Sequence, residues 1–407
     1  MNPARRSSPA GRRPVRTARW LLAAASLLLL AGCLAFRREP PRPGRTKLDS
    51  PLVILPAVTM SNYLVIETKW DRHGPYRFLI DTGGSVTLVS AELAARYAAK
   101  NAPPFDTPLV RVRSADGETA LLTATTLRRL ELGGARFDNV PALIYDCAQL
   151  SAHFGVKIDG ILGFPLFRET LLTLDYPRSR VLLEPCNPAP LLPGTTIPFN
   201  NDRRTPIVPL RLGDRTFAAL IDSGSDSALS LNPAGLQPEF AVAPRGGATV
   251  ATLSGDREQL IGRLTPPLAI GIYALERPVA DLTGELSSLG SGVLKYFAVT
   301  FDQERSRVTF YRESLQPIAP EPRRSSGLSF SKTPAYWRVA GVVPGSPAAE
   351  AGVQPGDLVT RIDGEPVAQW DLRRYEQLVS SAPDIGFTFL NGTRETEQRL
   401  KVFELVP

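Results

Sequence analysis

Histidine and cysteine are nearly missing from this chain: two His and three Cys stand among 407 residues. Such scarcity removes the case for a His/Cys metal centre, because no grouping reaches a full ligand set at suitable spacing. A long apolar run is missing too. The run WLLAAASLLLLAG at 20–32 falls short of the ~20 residues that a spanning helix needs. No phosphate-cradling glycine loop occurs, and Gly133-Gly134 and Gly246-Gly247 read as turns. Acidic residues are absent from 1–32, which hold six Arg (Arg5, Arg6, Arg12, Arg13, Arg16, Arg19) and so leave only +1 of the formal +7 to the rest. A nucleic-acid partner thereby loses its support. What is present is 38 Pro, 32 Gly and 43% hydrophobic residues, which point to real cores, many turns and a mainly β chain of two or three compact units.

The basic start, the short apolar run and the small residues before Cys33 have the layout of a secretory signal. Leu30-Ala31-Gly32-Cys33 resembles a bacterial lipobox, which implies signal removal after residue 32 and lipidation of Cys33. The bulk of the chain is then expected outside the cytoplasm, held to a membrane by its lipid. In the sorting rule of such lipoproteins, Leu34 in place of Asp implies the outer membrane, facing the periplasm. Cys147 and Cys186 remain, in a compartment that permits disulfides; sequence leaves open whether they pair or stand apart.

Residues 33–50 are Pro- and Arg-rich and read as a tether, and 313–326 have the same character. Between them the chain repeats itself. FLIDTGGS at 78–85 and ALIDSGSD at 219–226 each end the second strand of an expected hairpin, YLVIETKWDRHGPYRFLID and IVPLRLGDRTFAALID. Further on, 161–183 aligns without a gap on 288–310, placing Gly163 on Gly290 and Asp175 on Asp302. Two blocks repeating in one order mean internal duplication. The copies span 51–195 and 196–312. The second is shorter, and the loss falls where the first holds SAELAARYAAKNAPP, whose apolar spacing suits a short helix.

A phrase written twice suits a reaction run by two carboxylates. When one Asp from each copy meets across a pseudo-two-fold axis, both cannot stay ionised, so the pair shares a proton. One can then take a proton from water while the other gives one to a carbonyl oxygen. Gly83 and Gly224 let two loops approach closely, and Thr82 and Ser223 place a hydroxyl beside each Asp to hold the loops in register. Asp222-Ser223-Gly224 also resembles the nucleophile region of chymotrypsin-like proteases, but Thr82 replaces the serine in the first copy and neither His73 nor His153 has a recognisable context.

With both triplets in view, 55–312 resembles the aspartic proteases of the pepsin and retropepsin group. The resemblance implies two duplicated β-barrel lobes and catalytic Asp81 and Asp222, with Thr82, Gly83, Ser223 and Gly224 as supporting loop residues. It also implies loops threading behind the catalytic strands at Ile161-Leu162-Gly163 and Ser288-Leu289-Gly290. Ser288 and Gly84 depart from the family pattern. Residues 109–124, with a turn at Asp116-Gly117, are the candidate flap and contain no aromatic residue. Both Asp lie in one chain, so a monomer suffices; protein or peptide substrates are expected, with no cofactor and no metal.

Residues 327–407 contain strand, Pro344-Gly345-Ser346-Pro347, an Ala-rich turn of helix stopped by Gly352, then Pro355-Gly356-Asp357 and another strand. This string resembles a PDZ domain, a β domain with short helices. The resemblance implies that Gly327, Leu328, Ser329 and Phe330 form a loop taking the carboxylate of peptide tails, with LRRYEQLVSS at 372–381 lining the groove. Ser329 stands in place of the usual Gly. Two readings compete: a lipid-anchored aspartic endopeptidase of the bacterial envelope, and an inactive peptide-binding scaffold that Gly84 and Ser288 motivate. On the anchoring, palmitate labelling of whole cells should mark the wild-type protein and leave Cys33→Ser unlabelled; equal labelling overturns the lipobox assignment.

Overall fold

The computed structural model describes residues 44–98, 109–114, 117–188, 190–251, 256–319 and 321–407. Cys33 and Asp116, the latter half of the expected flap turn, lie outside them. The architecture is mainly β, as composition and turn content led us to expect, and every large sheet is built from hairpins. Among the described residues no helix is long and apolar enough to cross a membrane.

In the first lobe, Val53–Met60, Tyr63–Trp70 and His73–Asp81 run antiparallel, turning at Ser61-Asn62 and Asp71-Arg72, where positive φ angles make the tight reversals. Phe78 and Ile80 alternate inward on the strand that carries Asp81, and both are fully buried. Beside it, Gly160–Gly163 runs parallel, pairing Asp81 with Gly163. The second lobe repeats the plan: Ile207–Leu212 and Arg215–Asp222 form the hairpin, and Ser288–Gly290 pairs Gly290 with Asp222. The expected helix of the first copy is present as Ala91–Tyr97, capped by the Ser90 hydroxyl; residues 99–108 lie outside the description. In the second copy 232–244 carries no helix.

The lobes are joined by one continuous sheet. Thr170–Asp175 pairs antiparallel with Ala298–Asp302, so each repeat meets its own copy. Thr173 lies opposite Thr300, its sequence equivalent, and their hydroxyls hydrogen-bond at 2.8 Å. The pseudo-two-fold axis therefore passes through this pair. On either side the duplicated acids are held alike, Asp175 by Arg180 at 2.7 Å and Asp302 by Arg307 at 3.2 Å. Two stretches read as tethers carry short strands: Thr46–Leu48 pairs with Ala135–Phe137, and Arg324–Ser325 with Phe403–Glu404.

A single apolar core runs through both lobes, from Trp70 and Phe137 to Phe301 and Phe310. In its first-lobe part the Trp70 indole stacks on Tyr97 at 3.6 Å, which fixes the helix Ala91–Tyr97 to the hairpin behind Asp81. The C-terminal domain has its own sheet and its own core around Trp337, Ile385 and Phe387. Its short helix Pro347–Glu350 is capped by the Ser346 hydroxyl, and Gly352 follows at φ +81°. Truncation of the stacked indole tests the first-lobe packing: Trp70→Ala should cost ~3–5 kcal/mol in urea melts. A loss below ~1 kcal/mol would show that Trp70 is not part of the load-carrying core.

Candidate active site

The two strands that end in Asp81 and Asp222 bring their triplets back to back. Thr82 Oγ1 donates to the Ile221 carbonyl at 2.7 Å and accepts from the Ser223 N–H at 3.0 Å. Ser223 Oγ returns the arrangement, donating to the Ile80 carbonyl at 2.8 Å and accepting from the Thr82 N–H at 2.9 Å. Both hydroxyl residues are fully buried. In an apolar surround such reciprocal bonds are costly to break singly, so they lock the lobes in register.

The glycines are required by contact. A Cβ on Gly83 would stand 2.5 Å from Asp222 Oδ1, and one on Gly224 would stand 2.5 Å from the Asp81 carboxyl carbon. Each carboxylate thus lies over the glycine of the opposite triplet. The Gly84 N–H donates to Asp81 Oδ1 and the Gly224 N–H to Asp222 Oδ1, both at 2.9 Å. Gly163 and Gly290 occupy equivalent places behind these loops, where a Cβ would press into the Val86 and Ser227 carbonyls respectively. Ser291, after Gly290, hydrogen-bonds the Ser225 carbonyl through both its N–H and its hydroxyl.

The carboxylates of Asp81 and Asp222, each over the other triplet's glycine, interact as a buried pair. Burial, then the Asp81 charge beside it, holds Asp222 well above the usual carboxylate range. Burial also raises Asp81, while the Gly84 N–H, the Asp222 bond and the Gly83 N–H pull it back. Both carboxyls are raised, so the two titrate as a pair that holds a proton more tightly than a free carboxylate does.

Two nearby residues were not singled out from sequence. Tyr63, on the first-lobe hairpin, reaches the second-lobe loop, where its hydroxyl meets the Asp226 N–H; burial and the charges of Asp226 and Asp222 raise its phenol well above the usual value. Asp226, two residues past Gly224, is itself raised by burial, and Arg323 eases its charge. Asp226 stands at the end of the quoted phrase ALIDSGSD, but Ser85 at the same place in the first copy hides it from a search for shared residues.

The hairpin Leu109–Arg113 and Thr119–Leu132 is antiparallel, and Arg113 Nη2 meets Glu285 Oε1 of the second lobe at 2.7 Å, so this candidate flap bridges the lobes. Its second-lobe counterpart is Arg245–Ala251 with Asp256–Arg263. In the C-terminal domain, Leu328 and Phe330 point into the core on the edge strand Leu328–Lys332. The Gly327 and Leu328 N–H groups donate to the Ser325 and Ser326 hydroxyls, at 2.9 and 3.2 Å. Cys147 and Cys186 are separate buried thiols, pushed up by burial to about 12 and about 11. Among the described residues no group of three or more His, Cys, Asp or Glu is placed to hold a metal ion.

Two family models match parts of the chain. Residues 66–166 match the family described as aspartyl protease, and residues 338–384 match the PDZ domain family. The chain therefore carries an aspartyl-protease domain of the retropepsin-like kind and a C-terminal PDZ domain. A crystal structure of a PDZ domain protein from Parabacteroides distasonis is similar at 20% identity over 20% of each chain, with a TM-score of 0.18, so this chain spans about a fifth of that one. No curated protein matches.

Asp222 ionises more reluctantly in the folded protein than in the unfolded chain. The folded state therefore loses stability as pH rises above the ordinary carboxylate range, and pays nothing below it. Asp222→Asn should raise Tm at pH 7 by ~2–4 °C, the shift expected of about 1 kcal/mol in a domain of this size, and leave Tm at pH 3 unchanged. No gain at pH 7, or the same gain at both pH values, would mean that the pair does not share a proton.

Proposed function

We propose that this protein is an aspartic endopeptidase in which Asp81 and Asp222 hydrolyse peptide bonds of proteins or peptides. The supporting observation is the pair of buried carboxylates brought together by the Thr82–Ser223 lock, with burial and then the Asp81 charge holding Asp222 well above the usual carboxylate range. The ionised Asp81 takes a proton from a water as its oxygen attacks the carbonyl carbon, and Asp222 gives its proton to the carbonyl oxygen. In the collapse of the tetrahedral intermediate, the C–N bond breaks and the leaving nitrogen takes the proton now on Asp81, while Asp222 recovers its own from the reforming acid. Water is the co-reactant, and both proton transfers run through the two carboxyl groups. The PDZ domain supports peptide binding, and the N-terminal lipobox supports a lipid-anchored enzyme facing the periplasm.

Both carboxylates act on the same proton, so loss of either should remove turnover and spare folding. With an unfolded protein as substrate, assayed from about pH 3 to pH 8, Asp81→Asn and Asp222→Asn should each lower kcat by ~10²–10⁴. Cleavage that survives either substitution ends the dyad assignment, and no cleavage by wild type at any pH turns the reading toward a scaffold.

A further inference from the structure

The peptide groove of the PDZ domain is packed against the first lobe along part of each of its two walls. Its first wall is the edge strand Leu328–Lys332, which pairs on one side only, with Trp337–Val342, and is the edge to which a peptide would add. That edge packs against the first-lobe helix Ala148–Phe154. Lys332 Nζ donates to the His153 carbonyl at 2.7 Å, and a Cβ on Gly155 would touch the Lys332 stem at 3.3 Å. Burial holds the Lys332 ammonium down at about 8 and His153 at about 4, as groups shut away from water.

The second wall is the helix Leu372–Ser381. Leu372 is buried, yet it belongs to a cluster of first-lobe residues, Met60, Tyr63, Leu143 and Phe154, and not to the PDZ core. Glu376, a turn further on, accepts the Ser61 hydroxyl from the first-lobe hairpin turn. Both walls of the groove are thus covered by the same lobe.

The docked domain also grips the cleft from the other side. Ile261, on the second-lobe hairpin, is buried with Val343, Leu405 and Val406 of the PDZ domain. Arg245 Nη2 donates to the Pro344 carbonyl at 3.3 Å, and Arg263 Nη2 to the Val406 carbonyl at 2.8 Å. Glu321, Pro322 and Arg323 of the connecting segment line a cavity of about 120 Å³ together with Asp226 and Ile261 of the second lobe. The connection runs beside the loop that carries Asp222.

We propose that the first lobe is the resident occupant of the PDZ groove, and that this self-docking is a clamp on the enzyme. While it holds, the second-lobe hairpin and the 321–323 segment are pinned along the cleft; substrate enters when the PDZ domain lifts. The gating part rests on the hydrolytic reading above, and the docking part does not. Burying the Lys332 ammonium opposes docking, and its bond to the His153 carbonyl offsets part of that cost.

Leu372→Asp places a charge in the first-lobe cluster without touching the PDZ core. By hydrogen exchange with mass spectrometry on the full chain, amides of 148–154, 245–263 and 321–326 should exchange about tenfold faster or more, the change that ~1.4 kcal/mol of lost docking produces. The PDZ strands Leu358–Ile362 and Asp384–Asn391 should stay protected, and cleavage of an unfolded protein should rise with the exchange. If Leu372→Asp fails to fold, Glu376→Arg removes the Ser61 bond from the exposed face of the same helix and sets a cation near Lys332 and Arg323. Unchanged exchange in the hairpin and the 321–326 segment overturns the clamp. Faster exchange with wild-type cleavage overturns the gating. Faster exchange with no cleavage by either protein leaves the docking standing and removes the hydrolytic reading instead.

Discussion

Four hydrogen bonds between Thr82, Ser223 and the backbone of the opposite strand determine where everything else in the protease region can be. They hold two buried carboxyl groups side by side, a position in which both cannot stay ionised. From that constraint follow the glycines, since a side chain at Gly83 or Gly224 would occupy the carboxylate's place. The strands that carry Gly163 and Gly290 follow too, because each Asp-bearing loop needs a backbone to rest on that has no Cβ. The raised affinity of Asp81 and Asp222 for a proton is what the arrangement produces.

Much of this was legible because duplication writes its constraints twice. The paired triplets, the hairpins before them and the Gly163 and Gly290 segments were all visible as repeated phrases, and the mainly β fold followed from turn-rich composition. What the repeat could not show is what differs between the copies. Asp226 aligns with Ser85, and Tyr63 reaches across the interface with no equivalent phrase to mark it. The short strands at Thr46–Leu48 and Arg324–Ser325 were hidden for another reason: Pro- and Arg-rich stretches carry no period of their own and take up a strand only because a finished edge awaits them.

The docking of the PDZ domain was illegible for a third reason. Leu372, read on its own helix, is an ordinary groove residue; only folding reveals that its neighbours are Tyr63 and Phe154. The Ser325 and Ser326 hydroxyls likewise occupy backbone donors that a motif assigns to a ligand. A motif identifies the parts of a binding site but not who stands in it.

The hydrogen bond between Thr173 and Thr300 joins a residue to its own counterpart, the signature of an isologous contact between identical halves. Here the halves are covalently continuous. A site assembled from two separate chains falls apart on dilution, whereas this one sees its other half at a fixed effective concentration however scarce the protein is. Fusion also frees each half from serving as its own partner. One could keep a helix that the other discarded, and one could place an acid where the other has a serine, without either change being imposed twice.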